Sequence, residues 1–293
     1  MAVVDWAKVA SDVETRLRDP SPYAMLSSVA VEGIETESRR SNVVFKPKDF
    51  FMAFGGVVCL VMEGFPVAVE RLKEKMNEDA AMQDAGMTSE KMGAKWAKIT
   101  LGAVRVEKYQ FSTEQMLRLR TICLSFRSKI AEAAEECFMK SSSLSVVVFA
   151  NRALTARPKE TKISFDVGNS SDAVDLSENM KAKTADVIGP FFDAVTPDST
   201  EAVSDVFQGY INDLNSSPAH SAHYLAPFPG ATLVCNAFDN GCANTQLRGL
   251  IDEFRRVVDS NILVDVEGHP QQGQPLFEWF DDSALHVTVR GIS

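Results

Sequence analysis

Two stretches of this sequence repeat one order of parts, and that repetition restricts the fold more than any other feature. In the first, Val57–Met62 is an apolar, β-branched run that reads as a buried strand. Gly64-Phe65-Pro66 turns the chain, and Val69, Leu72 and Met76 recur at helical spacing over 67–79, with Lys73 the one polar break in the stripe. After a loop, Lys98-Ile99-Thr100-Leu101 lies in a second strand over 96–104. In the second stretch Thr232–Phe238 is the strand and 244–260 the helix, with Leu247, Leu250, Ile251, Phe254, Val257 and Val258 on one face. His286-Val287-Thr288-Val289 closes it. Each closing strand carries a basic residue and a threonine two apart. Residues i and i+2 of a strand share a face, so Lys98 projects with Thr100, and His286 with Thr288. If the two units pack about a pseudo-two-fold axis, both pairs face one cleft. A cation or imidazole with a hydroxyl from each side is a cradle for one phosphate.

Elsewhere the pattern predicts a helix over 3–18 (Val4, Val9, Val13, Leu17) that Asp19-Pro20-Ser21-Pro22 ends. Residues 27–49 carry no assignable period, and 80–94 read as loop. Ser112-Thr113-Glu114 caps a long helix to about residue 139. Leu144–Ala150 and Lys162–Val167 read as strands. A helix over 184–214 is expected to break at Gly189-Pro190 and Thr196-Pro197, followed by a linker-like loop over 215–230. A Gln-rich loop at 270–274 precedes a final strand within Phe277–Ile292.

The chain has 293 residues, enough for two domains or one large bilobal one at roughly 150 per domain. Its net charge of −10 excludes a polyanion-binding protein driven by overall charge but leaves room for a small cationic pocket. The longest apolar run, Phe51–Met62, has twelve residues with Gly55 and Gly56 inside it, too short to span a bilayer, and no membrane role is expected. Five scattered cysteines without a C-x-x-C pair read as reduced thiols, which predicts a cytoplasmic location. The first residues hold Asp5 and no basic segment ahead of an apolar one, so no secretory leader is expected.

The repeated order resembles the two-histidine (2H) phosphoesterase superfamily, which includes RNA 2′,3′-cyclic phosphodiesterases and 2′–5′ RNA ligase-like proteins and carries His-x-Thr-x on central strands of two similar lobes. Leu285-His286-Val287-Thr288-Val289 matches the second motif in full; Lys98-Ile99-Thr100-Leu101 matches the first except for its histidine. The resemblance implies an α+β (or mixed α/β) bilobal fold, with two βαβ-containing lobes around a central cleft. Residues 1–50 are then an N-terminal helical extension, and 51–293 the bilobal domain with an insertion near 168–230 through which a protein partner could bind. It further implies a phosphodiester ligand, a 2′,3′-cyclic phosphate of a nucleotide or RNA 3′ end, handled by acid/base groups with no cofactor and no metal. His286 is then the acid/base residue, Thr100 and Thr288 hold phosphate oxygens, and Lys98 supplies charge. An imidazole with an ordinary pKa near ~6.5 can act as acid or base. Lysine, near ~10.4, normally stays protonated, so Lys98 neutralises phosphate or donates a proton. Two function classes stay open: a cyclic phosphodiesterase, and a catalytically decayed homologue that binds RNA or nucleotide or serves as a subunit of an assembly.

Other candidates compete for attention. His286 also reads as a strand histidine satisfied by a carbonyl, and Asp281-Asp282 as either its orienting group or the cap of a turn. His220-Ser-Ala-His223 lacks a third metal ligand. Cys59 and Cys235 occupy matching strands and read as core thiols. Gly55-Gly56 lacks a phosphate-loop context, and neither G-x-S-x-G nor H-E-x-x-H occurs.

Overall fold

Apolar runs rich in β-branched residues become the strands of one eight-stranded antiparallel sheet, and the amphipathic segments become helices packed on it. The computed structural model describes residues 4–19, 43–53, 55–90, 95–133, 136–141, 143–164, 178–193, 204–216, 221–238 and 245–292. Helix α1 (Trp6–Leu17) starts where the Asp5 carboxylate accepts from the amides of Ala7 and Lys8 at 3.1 Å. Strands β1 (Val43–Phe45), β2 (Pro47–Ala53) and β3 (Val57–Met62) follow, then helices α2 (Val67–Glu78) and α3 (Ala80–Asp84). Strand β4 (Lys98–Val104) leads to helix α4 (Thr113–Glu132), which a reciprocal Ser112/Gln115 capping box opens. Next come β5 (Met139–Ser141), β6 (Ser143–Asn151), β7 (Lys159–Ser164), α5 (Glu178–Phe192), α6 (Asp205–Ser216) and α7 (Ser221–Leu225). The chain ends with β8 (Pro227–Asn236), α8 (Thr245–Asn261), β9 (Phe277–Trp279), a 3-10 turn (Asp282–Ala284) and β10 (His286–Gly291).

The sheet order is β2-β3-β4-β10-β8-β6-β7, with β9 also paired to β4, while β1 and β5 form a separate ribbon. Every strand pairing among the described residues is antiparallel, so the fold is α+β, without parallel crossovers. Val61 opposes Lys98 and Asn236 opposes His286: α2 with α3, and α8 in its turn, return the chain to the sheet end it left. Both strand–helix–strand units therefore have antiparallel closing strands, and these strands, β4 and β10, are neighbours at the middle of the sheet.

Adjacent residues of β2 point to opposite faces, which shows how the helices are divided. Phe50 stacks on Phe254 of α8 at 4.0 Å and meets Phe126 of α4 edge-on at 5.6 Å. Phe51 meets Trp96 at 5.5 Å and Phe191 of α5 at 6.3 Å. Phe191, Phe207 and Tyr210 pack together, so α5 and α6 of the 168–230 stretch cover this second face beside β2. Helix α1 buries Ala10, Val13 and Leu17 in the same core, and the division expected at residue 50 falls inside β2.

Several local expectations change. Residues 43–45 and 47–49 are strand, on either side of Lys46, although Lys46, Lys48 and Asp49 hide the apolar period; buried Asp49 is bonded by Arg127 of α4. Helix α4 stops at Glu132, not near 139. Helix α5 passes through Gly189-Pro190 and ends two residues later at Phe192, although Pro190 has no N–H to give to the preceding turn. The break expected at Thr196-Pro197 lies outside the described residues, as does part of the 80–94 loop, in which α3 forms. Pro227, Pro229 and Gly230 belong to β8, with Gly230 packed so closely under the Phe149 ring that a Cβ there would lie 2.6 Å from it. The final strand is divided into β9 and β10, both on β4. No described helix is long and apolar enough to cross a membrane.

Candidate functional site

Burial alternates along both central strands. Ile99 and Leu101 on β4, and Val287 and Val289 on β10, are buried; Lys98, Thr100, His286 and Thr288 are half-buried. Val287 is registered opposite Ile99, which sets His286 across from Thr100 and Thr288 across from Lys98. All four residues singled out by the repeat therefore share one face on two neighbouring strands. The row through His286 continues to Asn236 on β8 and, through Thr100, to Cys59 on β3, whose Sγ lies 3.9 Å from Thr100 Oγ1.

The 3-10 turn before β10 aims the Ala284 carbonyl at His286 Nδ1, 2.6 Å away. A carbonyl can only accept, so Nδ1 holds the proton and Nε2 is the lone-pair nitrogen. Burial pushes the imidazole down to about 4; the Ala284 carbonyl opposes that shift, nearby Arg157 adds to it and Glu160 opposes it. At neutral pH His286 is an uncharged acceptor. Asp282 is not its orienting group: that carboxylate accepts from Arg255 Nη1 at 3.0 Å, and Asp281, at the capping position of the turn, makes no side-chain bond to it.

A pocket of about 220 Å³ opens over this face, with Lys95, Phe149, Leu154, Thr232, His286 and Thr288 in its walls. Lys98 and Thr100 are not among its lining residues, and the Lys98 ammonium lies 4.3 Å over the Trp96 ring. The pocket's cation is Lys95, three residues earlier. Its Nζ is 3.3 Å from Glu90 Oε1, while buried Lys73 approaches Glu90 Oε2 at 3.4 Å, so two ammonium groups share one carboxylate. Thr232 donates its hydroxyl to the Arg290 carbonyl at 2.8 Å.

Beside His286 lies a network that no short motif announced. Asn236 donates to Glu160 Oε1 at 2.7 Å and to Ser145 Oγ at 3.2 Å, and accepts from Arg157 Nη1 at 2.8 Å. Arg157 Nη1 also reaches Glu160 Oε2 at 3.2 Å. Burial would raise the Glu160 carboxyl, but the bonds from Ser145, Asn236 and Arg157 outweigh it and hold the group below its usual range.

Among the described residues no three His, Cys, Asp or Glu side chains are grouped to hold a metal. His220 of the H-x-x-H pair lies outside them, and His223 packs edge-on to Tyr224 at 5.5 Å. Cys59, Cys123 and Cys137 are buried free thiols, Cys235 is likewise buried, and Cys242 lies outside the described residues.

The His286 environment carries a pH signature. Unfolded, the imidazole binds a proton near its ordinary value of 6.5; folded, it binds one only near 4. The unfolded state therefore takes up the proton first, and stability falls as pH drops from about 6.5 to about 4, by roughly 2–3 kcal/mol for this group. Urea unfolding of wild type and His286→Gln across that window should show the steeper acid loss in wild type; parallel curves would remove the buried neutral imidazole.

Comparison of the chain with family models, with curated proteins and with solved structures finds no match.

Proposed function

We propose that the chain is a bilobal 2H-phosphoesterase-like protein that hydrolyses or binds a phosphodiester, with a 2′,3′-cyclic phosphate of a nucleotide or RNA end as its ligand. One observation carries this reading: the register that sets the His286–Thr288 pair against the Lys98–Thr100 pair on a single sheet face, beside a pocket with its own cation. The neighbouring antiparallel closing strands of the two repeated units support a two-fold relation between lobes.

In the catalytic form a water attacks the phosphorus while His286 Nε2 takes its proton, and the bond to one ribose oxygen breaks. The negative charge of the bound phosphate raises the proton affinity of the imidazole, and the Ala284 carbonyl stabilises the imidazolium through Nδ1–H. Thr288 donates to a non-bridging oxygen, with Thr100 completing the cradle from β4. Lys95 neutralises the phosphate from the pocket wall, and Lys98, across from Thr288, is the second cation and proton donor for the leaving oxygen. No metal enters these steps.

The position of Lys98 over Trp96, where the family carries a second histidine, favours the alternative of a decayed homologue that binds the same ligand without turning it over. Hydrolysis of 2′,3′-cyclic nucleotides and short cyclic-phosphate-ended RNAs, with EDTA present, separates the two. The enzyme form predicts a 10²- to 10⁴-fold lower rate for His286→Ala, the size of effect of one general base, and a larger rise in KM for Lys95→Gln than for Lys98→Gln. No turnover, with cyclic-phosphate binding that His286→Ala abolishes, assigns the binding homologue. Turnover indifferent to His286 would sink both.

A further inference from the structure

A second and larger pocket, about 530 Å³, adjoins the first and shares Leu154 with it. Leu285, the residue before His286, and Asn236, its partner on β8, also lie in its walls. Its volume falls in the range of small-molecule sites, about 300–1,000 Å³.

The chemistry of its walls is mixed. Arg157, on the turn before β7, is its most deeply placed cation, with a side chain only 12% exposed. Its Nε donates to the Leu154 carbonyl at 2.8 Å and its Nη1 to Asn236 and Glu160, but its Nη2 is buried without a hydrogen-bond partner among the described residues. A buried guanidinium donor left unsatisfied is costly, and an acceptor brought by a ligand removes that cost. Arg248 of α8 lies over the Phe238 ring, 4.5 Å from its centroid, and makes a planar platform at the side of the pocket. Glu160 and Asp282 supply carboxylate acceptors, and Ser283 a hydroxyl.

Among the described residues two cations and two carboxylates line this pocket, so a bare anion gains no net attraction from them and meets Glu160 beside Arg157. A neutral, flat heterocycle with both donors and acceptors on its edge satisfies both kinds of wall, and its face suits the Arg248–Phe238 platform. We propose that this pocket takes a nucleobase, with a ring acceptor facing Arg157 and the ring face against Arg248. The inference rests on the proposed phosphodiester site only for what lies next door: the base here would put its ribose phosphate toward His286 and Thr288.

The full chain is titrated with adenosine, guanosine, cytidine and uridine, with ribose, and with inorganic phosphate. In parallel, turnover of nucleoside 2′,3′-cyclic phosphates is compared with that of glycerol 1,2-cyclic phosphate, which has no base. At least one nucleoside should bind tenfold or more tightly than ribose, and Arg248→Ser, a change at a half-exposed side chain, should weaken it about tenfold while leaving glycerol 1,2-cyclic phosphate turnover unchanged. Arg157→Lys should weaken it further, and its unfolding curve checks that the fold is kept. Nucleoside binding without any cyclic-phosphate turnover upholds the base pocket and counts against the phosphoesterase activity. Equal turnover with and without a base, and nucleosides no tighter than ribose, overturns the base pocket and leaves that activity standing. Phosphate competing with the nucleosides in an Arg157-dependent way also overturns it, by assigning the pocket to an anion.

Discussion

Phe254→Ala lowers the unfolding free energy by about 3–5 kcal/mol, the range for a large aromatic removed from a packed core. Phe254 is fully buried and is the residue through which α8 is keyed to three other elements. Its ring stacks on Phe50 of β2 at 4.0 Å, meets Phe126 of α4 edge-on at 5.2 Å and Trp279 of β9 at 6.4 Å. Truncation removes the apolar burial, the ring–ring contacts and the volume together, and an antiparallel sheet gripped on both faces has little freedom to collapse into the gap. Phe254→Leu, which keeps most of the volume, should cost clearly less. Denaturant midpoints for the three proteins give the comparison; equal midpoints for wild type and Phe254→Ala would mean that α8 is not held this way.

Arg290→Met is the second large effect, again about 3–5 kcal/mol, at roughly 1–3 kcal/mol for each buried acceptor left without its donor. Arg290 is fully buried, and a bulge after Thr288 puts it opposite Leu233, on the face away from the pocket. There its guanidinium donates to the Lys73 carbonyl at 3.2 Å, to Asn77 Oδ1 and to the Thr88 carbonyl at 2.7 Å. One side chain thus ties β10 to α2 and to the segment that leads through Glu90 to Lys95. Methionine fills the space but leaves three buried acceptors without this donor. Arg290→Lys should not restore stability, since one ammonium cannot reproduce the planar fork. Where the variant still folds at low temperature, weaker cyclic-phosphate binding is also expected, through Lys95. Full stability in Arg290→Lys would show that the fork geometry is immaterial.

Much of the frame was legible because the signals are local. The alternation at 98–101 and 286–289 follows from a period of two, and the stripe of α8 from a period of 3.6. Ser112-Thr113-Glu114 marks the start of α4, where Ser112 caps the helix and Gln115, not read as part of the cap, completes a capping box. Strand β2 was hidden for an equally local reason, since Lys48 and Asp49 interrupt its apolar pattern and the guanidinium that bonds buried Asp49 belongs to Arg127, 78 residues away. Pro227, Pro229 and Gly230 carry turn chemistry, yet pairing with β6 extends β8 through them.

The sequence by itself determined that Lys98 shares a face with Thr100 and His286 with Thr288, because neighbours two apart on a strand have no other choice. It could not determine that these faces coincide. That depends on Val287 meeting Ile99 across 188 positions of chain, a register set by how two apolar faces fill one core. The same packing decided that Lys95 lines the pocket while Lys98 lies on Trp96, and that Arg157, Glu160 and Asn236 converge beside His286. Electrostatics followed the packing: burial lowers the proton affinity of His286, and desolvation is a property of the folded surroundings that no spacing of residues contains.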